Sequence, residues 1–204
     1  MKNVFVLLIC LIASFGNAAS SPDVSVVNAG NKSFALYMDN ACSGFVHVKL
    51  TDKDGIVLLN DHVKSMPAFA RKYNLVNLPG GDYVLSVESG TSTVLQPITV
   101  FTDGLMIPTE KKAVIFAPAI RVGHEKLDLT LLCLNESAVT IEIIDDEGRS
   151  NYAATTREKG SVERRFNITN LTPGRYTVIT TVKGKNFTHV YNEVFTRGTE
   201  IAGN

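Results

Sequence analysis

The stretch Leu78-Pro79-Gly80-Gly81-Asp82-Tyr83 returns 93 residues later as Leu171-Thr172-Pro173-Gly174-Arg175-Tyr176. Working outward from it, Asn74-Leu75-Val76-Asn77 falls on Asn167-Ile168-Thr169-Asn170. Arg71 falls on Arg164 and Tyr73 on Phe166. At the same offset, Val46-His47-Val48-Lys49-Leu50-Thr51-Asp52-Lys53-Asp54-Gly55 falls on Val139-Thr140-Ile141-Glu142-Ile143-Ile144-Asp145-Asp146-Glu147-Gly148, and no gap is needed between the blocks. Two clusters sharing one offset point to an internal repeat, the first thing to establish before any fold is assigned.

Each copy reads as short strands. Val46, Val48 and Leu50 alternate with His47 and Lys49, and Val139, Ile141 and Ile143 alternate with Thr140 and Glu142 in the same phase, the period-2 signature of a half-buried strand. Lys53-Asp54-Gly55 and Asp146-Glu147-Gly148 supply hairpin turns in which Gly takes the positive φ. Phe34, Leu36 and Met38 alternate ahead of this block, and Tyr83, Leu85 and Val87 after it. The pattern predicts seven strands per copy, near 23–28, 32–39, 44–51, 56–63, 68–75, 82–88 and 92–101, repeated 93 residues later. No segment has helical periodicity. Seven short antiparallel strands in under 100 residues close a core between two sheets. The fold class expected is all-β: two tandem seven-stranded immunoglobulin-like or fibronectin-III-like β-sandwiches.

The Leu78–Tyr83 segment resembles the tyrosine corner of such sandwiches, where the ring packs in the core and the hydroxyl bonds to upstream backbone. Leu78, Gly81 and Tyr83, with Leu171, Gly174 and Tyr176, are therefore expected to be structural residues, the glycines permitting a tight crossover that the tyrosines pin. The motif Val-x-Val-x-Leu-x-Asp-x-x-Gly followed by Asn-Leu-x-x-Leu-Pro-Gly-Gly-x-Tyr is similar to immunoglobulin-like domains of exported Bacteroidota proteins. It most resembles the C-terminal sorting domain of the type IX secretion system. It also resembles small exported proteins of that lineage made of two such sandwiches, a likeness covering nearly the whole chain beyond its leader. The resemblance implies a fold and a lineage, and it brings no catalytic residues.

The first residues read as a secretory leader. Lys2 gives a positive start, Val4 to Phe15 is an apolar run too short for a bilayer, and Gly16-Asn17-Ala18 places small residues for cleavage after Ala18. The expected organisation is a signal peptide over 1–18, a first sandwich over 19–103, a linker over 104–112 and a second sandwich over 113–204. Export makes the periplasm or the extracellular space the expected location, and no other stretch reads as a membrane span. Lys plus Arg and Asp plus Glu number 20 each among 204 residues, so no charge excess points to nucleic acid or an anionic membrane.

Little in the sequence carries chemistry. His47, His62, His124 and His189 stand outside any metal-ligand motif and read as solvated or edge histidines. Cys42 and Cys133 read as small apolar residues, and a disulfide between them would have to join the two halves. The Asp-rich turns begin like a calcium loop but lack its later ligands, so hairpin composition accounts for them. There is no nucleophile elbow and no phosphate-binding glycine loop. Five Asn-x-Ser/Thr sequons, at Asn31, Asn135, Asn167, Asn170 and Asn186, read as turn and strand composition. Arg71-Lys72 and the cations between Arg157 and Arg165 read as a solvated strand face, with docking to an acidic partner as the sharper alternative.

The function expected is a non-catalytic structural or protein-interaction module of the envelope or extracellular space, with a protein or envelope component as partner and no cofactor. A carbohydrate-binding module is one alternative, and it would need Tyr37, Tyr152 and Tyr191 to form an exposed cluster. A stand-alone relative of a sorting domain is the other.

Overall fold

The computed structural model describes residues 23–39, 44–64, 68–123, 125–169, 171–172 and 174–193. The leader, Cys42, His124 and the final residues lie outside the described residues. The first unit has β1 (Asp23–Asn28), β2 (Ser33–Asp39), β3 (Phe45–Asp52), β4 (Val57–Lys64), β5 (Ala68–Asn74), β6 (Gly81–Glu88) and β7 (Ser92–Val100). These form a three-stranded sheet, β1-β2-β5, and a larger one in which β4, β3, β6 and β7 are successive neighbours. In a constant-type immunoglobulin domain the fourth strand pairs with the fifth. Here it pairs with β3, which is the fibronectin type III arrangement. Alternating residues face inward, and Phe34, Leu36, Val48, Leu50, Leu85 and Ile98 are completely excluded from water.

The second unit makes the same seven segments from five strands: β10 (Ala119–Val122), β11 (Lys126–Asp145), β12 (Ser150–Asn167), β13 (Gly174–Val182) and β14 (Lys185–Glu193). Separate strands at 125–132 and 137–144 were the expectation; β11 runs through both, and β12 likewise spans the fourth and fifth segments. The β11–β12 hairpin belongs to one continuous five-stranded sheet and shifts register between Cys133 and Ser137, opposite Gly160 at φ +84°. An irregularity of this kind bends and twists a strand without ending it. Leu127, Leu129, Leu131 and Cys133 before the shift, and Val139, Ile141 and Ile143 after it, all reach the second core.

Four of the five strand pairings repeat at the 93-residue offset. Phe34↔Tyr73 becomes Leu127↔Phe166, and Val46↔Val63 becomes Val139↔Thr156. Asp52↔Tyr83 becomes Asp145↔Tyr176, and Tyr83↔Ile98 becomes Tyr176↔Tyr191. The bulge at Leu50/Thr51 recurs at Ile143/Ile144. The exception is the first hairpin. Val26 faces Leu36 but Ile120 faces Leu129, so the turn before β11 is one residue shorter than the turn before β2. Because a one-residue slip turns every side chain to the wrong face, repeated register means repeated core.

The turns repeat in atomic detail. Asp52 Oδ1 accepts from the amides of Asp54 and Ile56, both at 2.9 Å, and Asp145 Oδ1 accepts from those of Glu147 and Arg149 at 3.0 and 2.8 Å. Gly55 and Gly148 sit at φ +81° and +78°, a conformation that costs glycine nothing. In both turns the aspartate carboxylate accepts backbone hydrogen bonds that hold the hairpin.

Candidate functional site

The units meet through the connector. β8 (Leu105–Met106) pairs with the end of β7, and β9 (Ala113–Phe116) pairs with its beginning, Ser92↔Phe116 through Leu95↔Ala113. The β7 edge of the first unit's larger sheet is therefore covered by the chain leading into the second unit. Successive residues of β9 point to opposite sides. Val114 packs on the first core, while Ile115 is buried in the second. Leu95, on β7, also packs on the second core. The segment expected as a linker, 104–112, is tied to the first unit by side chains: Asn28 Nδ2 donates to the Leu105 carbonyl at 2.7 Å, Gln96 Nε2 to Pro108 at 2.8 Å, and Lys112 Nζ to Val24 at 3.1 Å.

Glu88, at the end of β6, joins the units by charge. Lys185 of the second unit lies 2.7 Å from Glu88 Oε1, and Lys49 lies 3.4 Å from the same oxygen. Burial acts to raise the Glu88 carboxyl, but Lys185 and then Lys49 outweigh it and hold it below the usual glutamate range. Glu88, Lys185, Phe187 and His189 line a crevice of about 370 Å³ between the units. Beside it an apolar groove of about 660 Å³ runs along Phe116, Pro118 and Leu132. Leu132 is 43% exposed and Leu134, two residues on, 53%.

Both tyrosines expected at corners are buried and bonded upstream. Tyr83 Oη donates to the Pro79 carbonyl at 2.9 Å and Tyr176 Oη to the Thr172 carbonyl at 2.8 Å. Leu78 and Leu171 pack against the first and second cores. The role expected of the glycines is different in the structure. Neither Gly81 nor Gly174 has a positive φ, and a Cβ at either would meet its nearest neighbour at 3.8 or 3.9 Å, an ordinary contact. The local geometry does not require glycine at these two positions.

The three tyrosines a sugar platform would need do not converge. Tyr37 is exposed on the first unit, Tyr152 packs edge-on to Phe166 in the second, and Tyr191 is buried against Tyr176 with ring centres 5.6 Å apart. The cations are largely matched within the chain: Arg71 with Asp61 at 2.9 Å, Arg164 with Glu158, and Arg165 with both oxygens of Asp128 at 2.6 and 3.0 Å. Arg165 holds the Asp128 carboxyl below its usual range. Cys133 is buried and free; burial, then the charge of Glu158, push its thiol up, which makes it a poor nucleophile. Among the described residues no group of three or more His, Cys, Asp and Glu side chains is placed to hold a metal ion, and no helix is long and apolar enough to cross a membrane.

One arrangement escaped sequence reasoning. His47 and His62 stand directly opposite each other on β3 and β4, with ring centroids 4.3 Å apart and planes at 73°. Their hairpin register was the available signal, since the Asp52–Gly55 turn fixes which residues face each other.

No protein-family profile matches the chain, and no curated protein matches it. Among solved structures it is similar to the BSP domain of a biofilm-associated protein at 14% identity, over 86% of this chain and 29% of that one, with a TM-score of 0.31. It is similar at 8% identity to a two-domain fibronectin type III segment of chicken tenascin, over 84% of this chain and 98% of that one (TM-score 0.29). It is also similar to a tetra-tandem repeat in the extending region of a large adhesion protein, at 16% identity over 84% and 48% (TM-score 0.28). The chain thus spans less than a third of the biofilm-associated protein and about half of the adhesion repeat. Likenesses this distant add no weight to the strand order. That order, with two cores, defines the class: an all-β tandem of immunoglobulin-like, fibronectin-III-like sandwiches.

Proposed function

We propose that the chain is an exported, non-catalytic interaction module, a short stiff rod of two sandwiches that presents one face to a protein or envelope component. The observation that carries this reading is β9, whose alternate side chains enter two different cores. That sharing, together with the Glu88–Lys185 pair, supports a defined angle between the units, as a presenting element requires. Export is supported by the leader-like sequence over 1–18, and kinship with envelope proteins by the Leu78–Tyr83 motif. The groove along Phe116, Pro118 and Leu132 is the surface proposed for contact.

The test is fractionation of producing cells with surface proteolysis, followed by photo-crosslinking from position 132. The reading expects a chain shortened by its leader in the exported fraction, and crosslinks to one protein or polymer species that Thr130→Lys, within the same groove, abolishes. An intact leader on a cytoplasmic chain, or crosslinks spread over many species and indifferent to Thr130→Lys, contradicts it.

A further inference from the structure

The fold contains its own control for the His47/His62 pair. Ninety-three residues on, the same two positions of the same ladder are Thr140 and Thr155, whose hydroxyls hydrogen-bond across the strands at 2.8 Å. The backbone therefore brings whatever stands there into side-chain contact, and the first unit places two imidazoles there. His62 is exposed and His47 half-buried, so the pair is open to solvent.

The separation of the rings brings both imidazoles within reach of one metal ion. A metal-bound imidazole nitrogen lies about 2.0 Å from the ion, and its ring centre roughly 1.1 Å further along the same line. Two such rings at a right angle around one ion have centroids about 4.4 Å apart, and at the tetrahedral angle about 5.1 Å. The observed 4.3 Å is close to the right-angle value, and a turn of the rings is needed to aim a nitrogen of each at one ion. Right-angled adjacent ligands belong to the tetragonal coordination of Cu(II) and Ni(II), and imidazole suits both ions. Strand pairing holds the two Cα positions, so binding need only turn the rings.

We infer that His47 and His62 form a two-histidine site on the first unit for a divalent transition-metal ion of tetragonal preference, Cu(II) above all, with water in the remaining positions. In the next strand His47 faces Glu88, whose carboxylate is already engaged by Lys49 and Lys185, so the protein's ligands are the two imidazoles. Neither the interaction groove nor the joint between the units is part of this site, and it stands independently of the proposed function.

The experiment titrates the full chain, made without a histidine tag, with CuCl₂. Electron paramagnetic resonance of the wild-type complex is expected to report two equatorial imidazole nitrogens at one Cu(II) per chain. A chelate loses most of its affinity when either arm is removed. His47→Thr and His62→Thr should thus each weaken binding at least tenfold, the double variant little further, and His189→Thr should leave it unchanged. The double variant installs the pair that the second unit already carries, so its fold should survive, as circular dichroism would check. A spectrum with a single imidazole nitrogen, or wild-type affinity in the double variant, overturns the assignment, and the wild-type spectrum decides it even if a variant fails to fold.

Discussion

The two units share a ladder and close it differently. In the first, the open side between the sheets is sealed by polar contacts: Tyr73 Oη donates to Asp61 Oδ2 at 3.0 Å, and Arg71 lies 2.9 Å from the same oxygen. Burial, and next the hydrogen bond to Asp61, push the Tyr73 phenol upward, so it stays a donor. In the second unit Phe166 replaces Tyr73 and Ala154 replaces Asp61. The side is sealed by Tyr152 against Phe166 and by β12, which runs on without a break. Arg164, equivalent to Arg71, turns to Glu158. One backbone plan thus tolerates a charged latch or an aromatic one, because the ladder register and the inward apolar positions, not the seal, specify the core.

The joint gives the largest way to test that division. Ile115→Ala removes a buried side chain from the second core, at a cost of about 2–4 kcal/mol. Amide exchange should accelerate in β11–β14 much more than in β2, β3 and β6. Val114→Ala should reverse the bias, since Val114 packs on the first core. Equal effects on both units in each variant would mean that β9 does not divide its residues between two interiors.

The corners come next. Tyr83→Phe and Tyr176→Phe each remove a hydrogen bond to a backbone carbonyl and should each cost about 1 kcal/mol by denaturant unfolding. A loss confined to one of them would break the equivalence of the two corners.

A gain of similar size is expected from Thr180→Val. Thr180 is fully buried and its hydroxyl has no partner among the described residues, whereas the equivalent residue of the first unit is Val87. Replacing an unsatisfied buried hydroxyl by a methyl of the same shape should stabilise the second unit by about 1 kcal/mol. A lower melting temperature in this variant would show that the hydroxyl is satisfied in solution.

Acid should act last and most weakly. Arg149 holds the Asp145 carboxyl below its usual range, as Arg165 does for Asp128 and Lys185 for Glu88. A depressed carboxyl contributes stability at pH values above its unfolded pKa, about 3.9 for Asp and about 4.3 for Glu, and loses it as the pH falls through the lower folded value. The melting temperature should stay level from neutrality to about pH 5 and drop below about pH 4. Arg149→Ile, which installs the first unit's Ile56, should narrow its difference from wild type as the pH falls through that range. A difference that is constant with pH would remove Arg149 from the account.

Most of the fold was legible because period-2 runs and Asp-Gly turns are local signals. Strands near 44–51 and 82–88, and the copy of the second, sit within a residue or so of where the alternation puts them, while the copy of the first lies inside β11. The strand expected at 116–121 is observed at Ala119–Val122, and the one-residue shortening of the following turn shifts its register by one. The run of β11 through Asn135 was hidden because polar Asn135 and Glu136 fall between the two expected strands, while the shift opposite Gly160 bends the strand without interrupting it. The double allegiance of β9 lay beyond sequence reasoning, since Ala113–Phe116 carries no mark of which core each residue enters. The histidine pair was written in the register of a hairpin that had been located, but solvation was the simpler reading of each histidine taken singly.

The central claim is that one β-unit occurs twice on a common ladder. It is tested most directly by interstrand nuclear Overhauser contacts in the isotopically labelled full chain. The account predicts matched sets: Tyr83 with Ile98 and Tyr176 with Tyr191, and Val46 with Val63 and Val139 with Thr156. A shift of even one residue in either member of these pairs, or helical contacts within either unit, would contradict it.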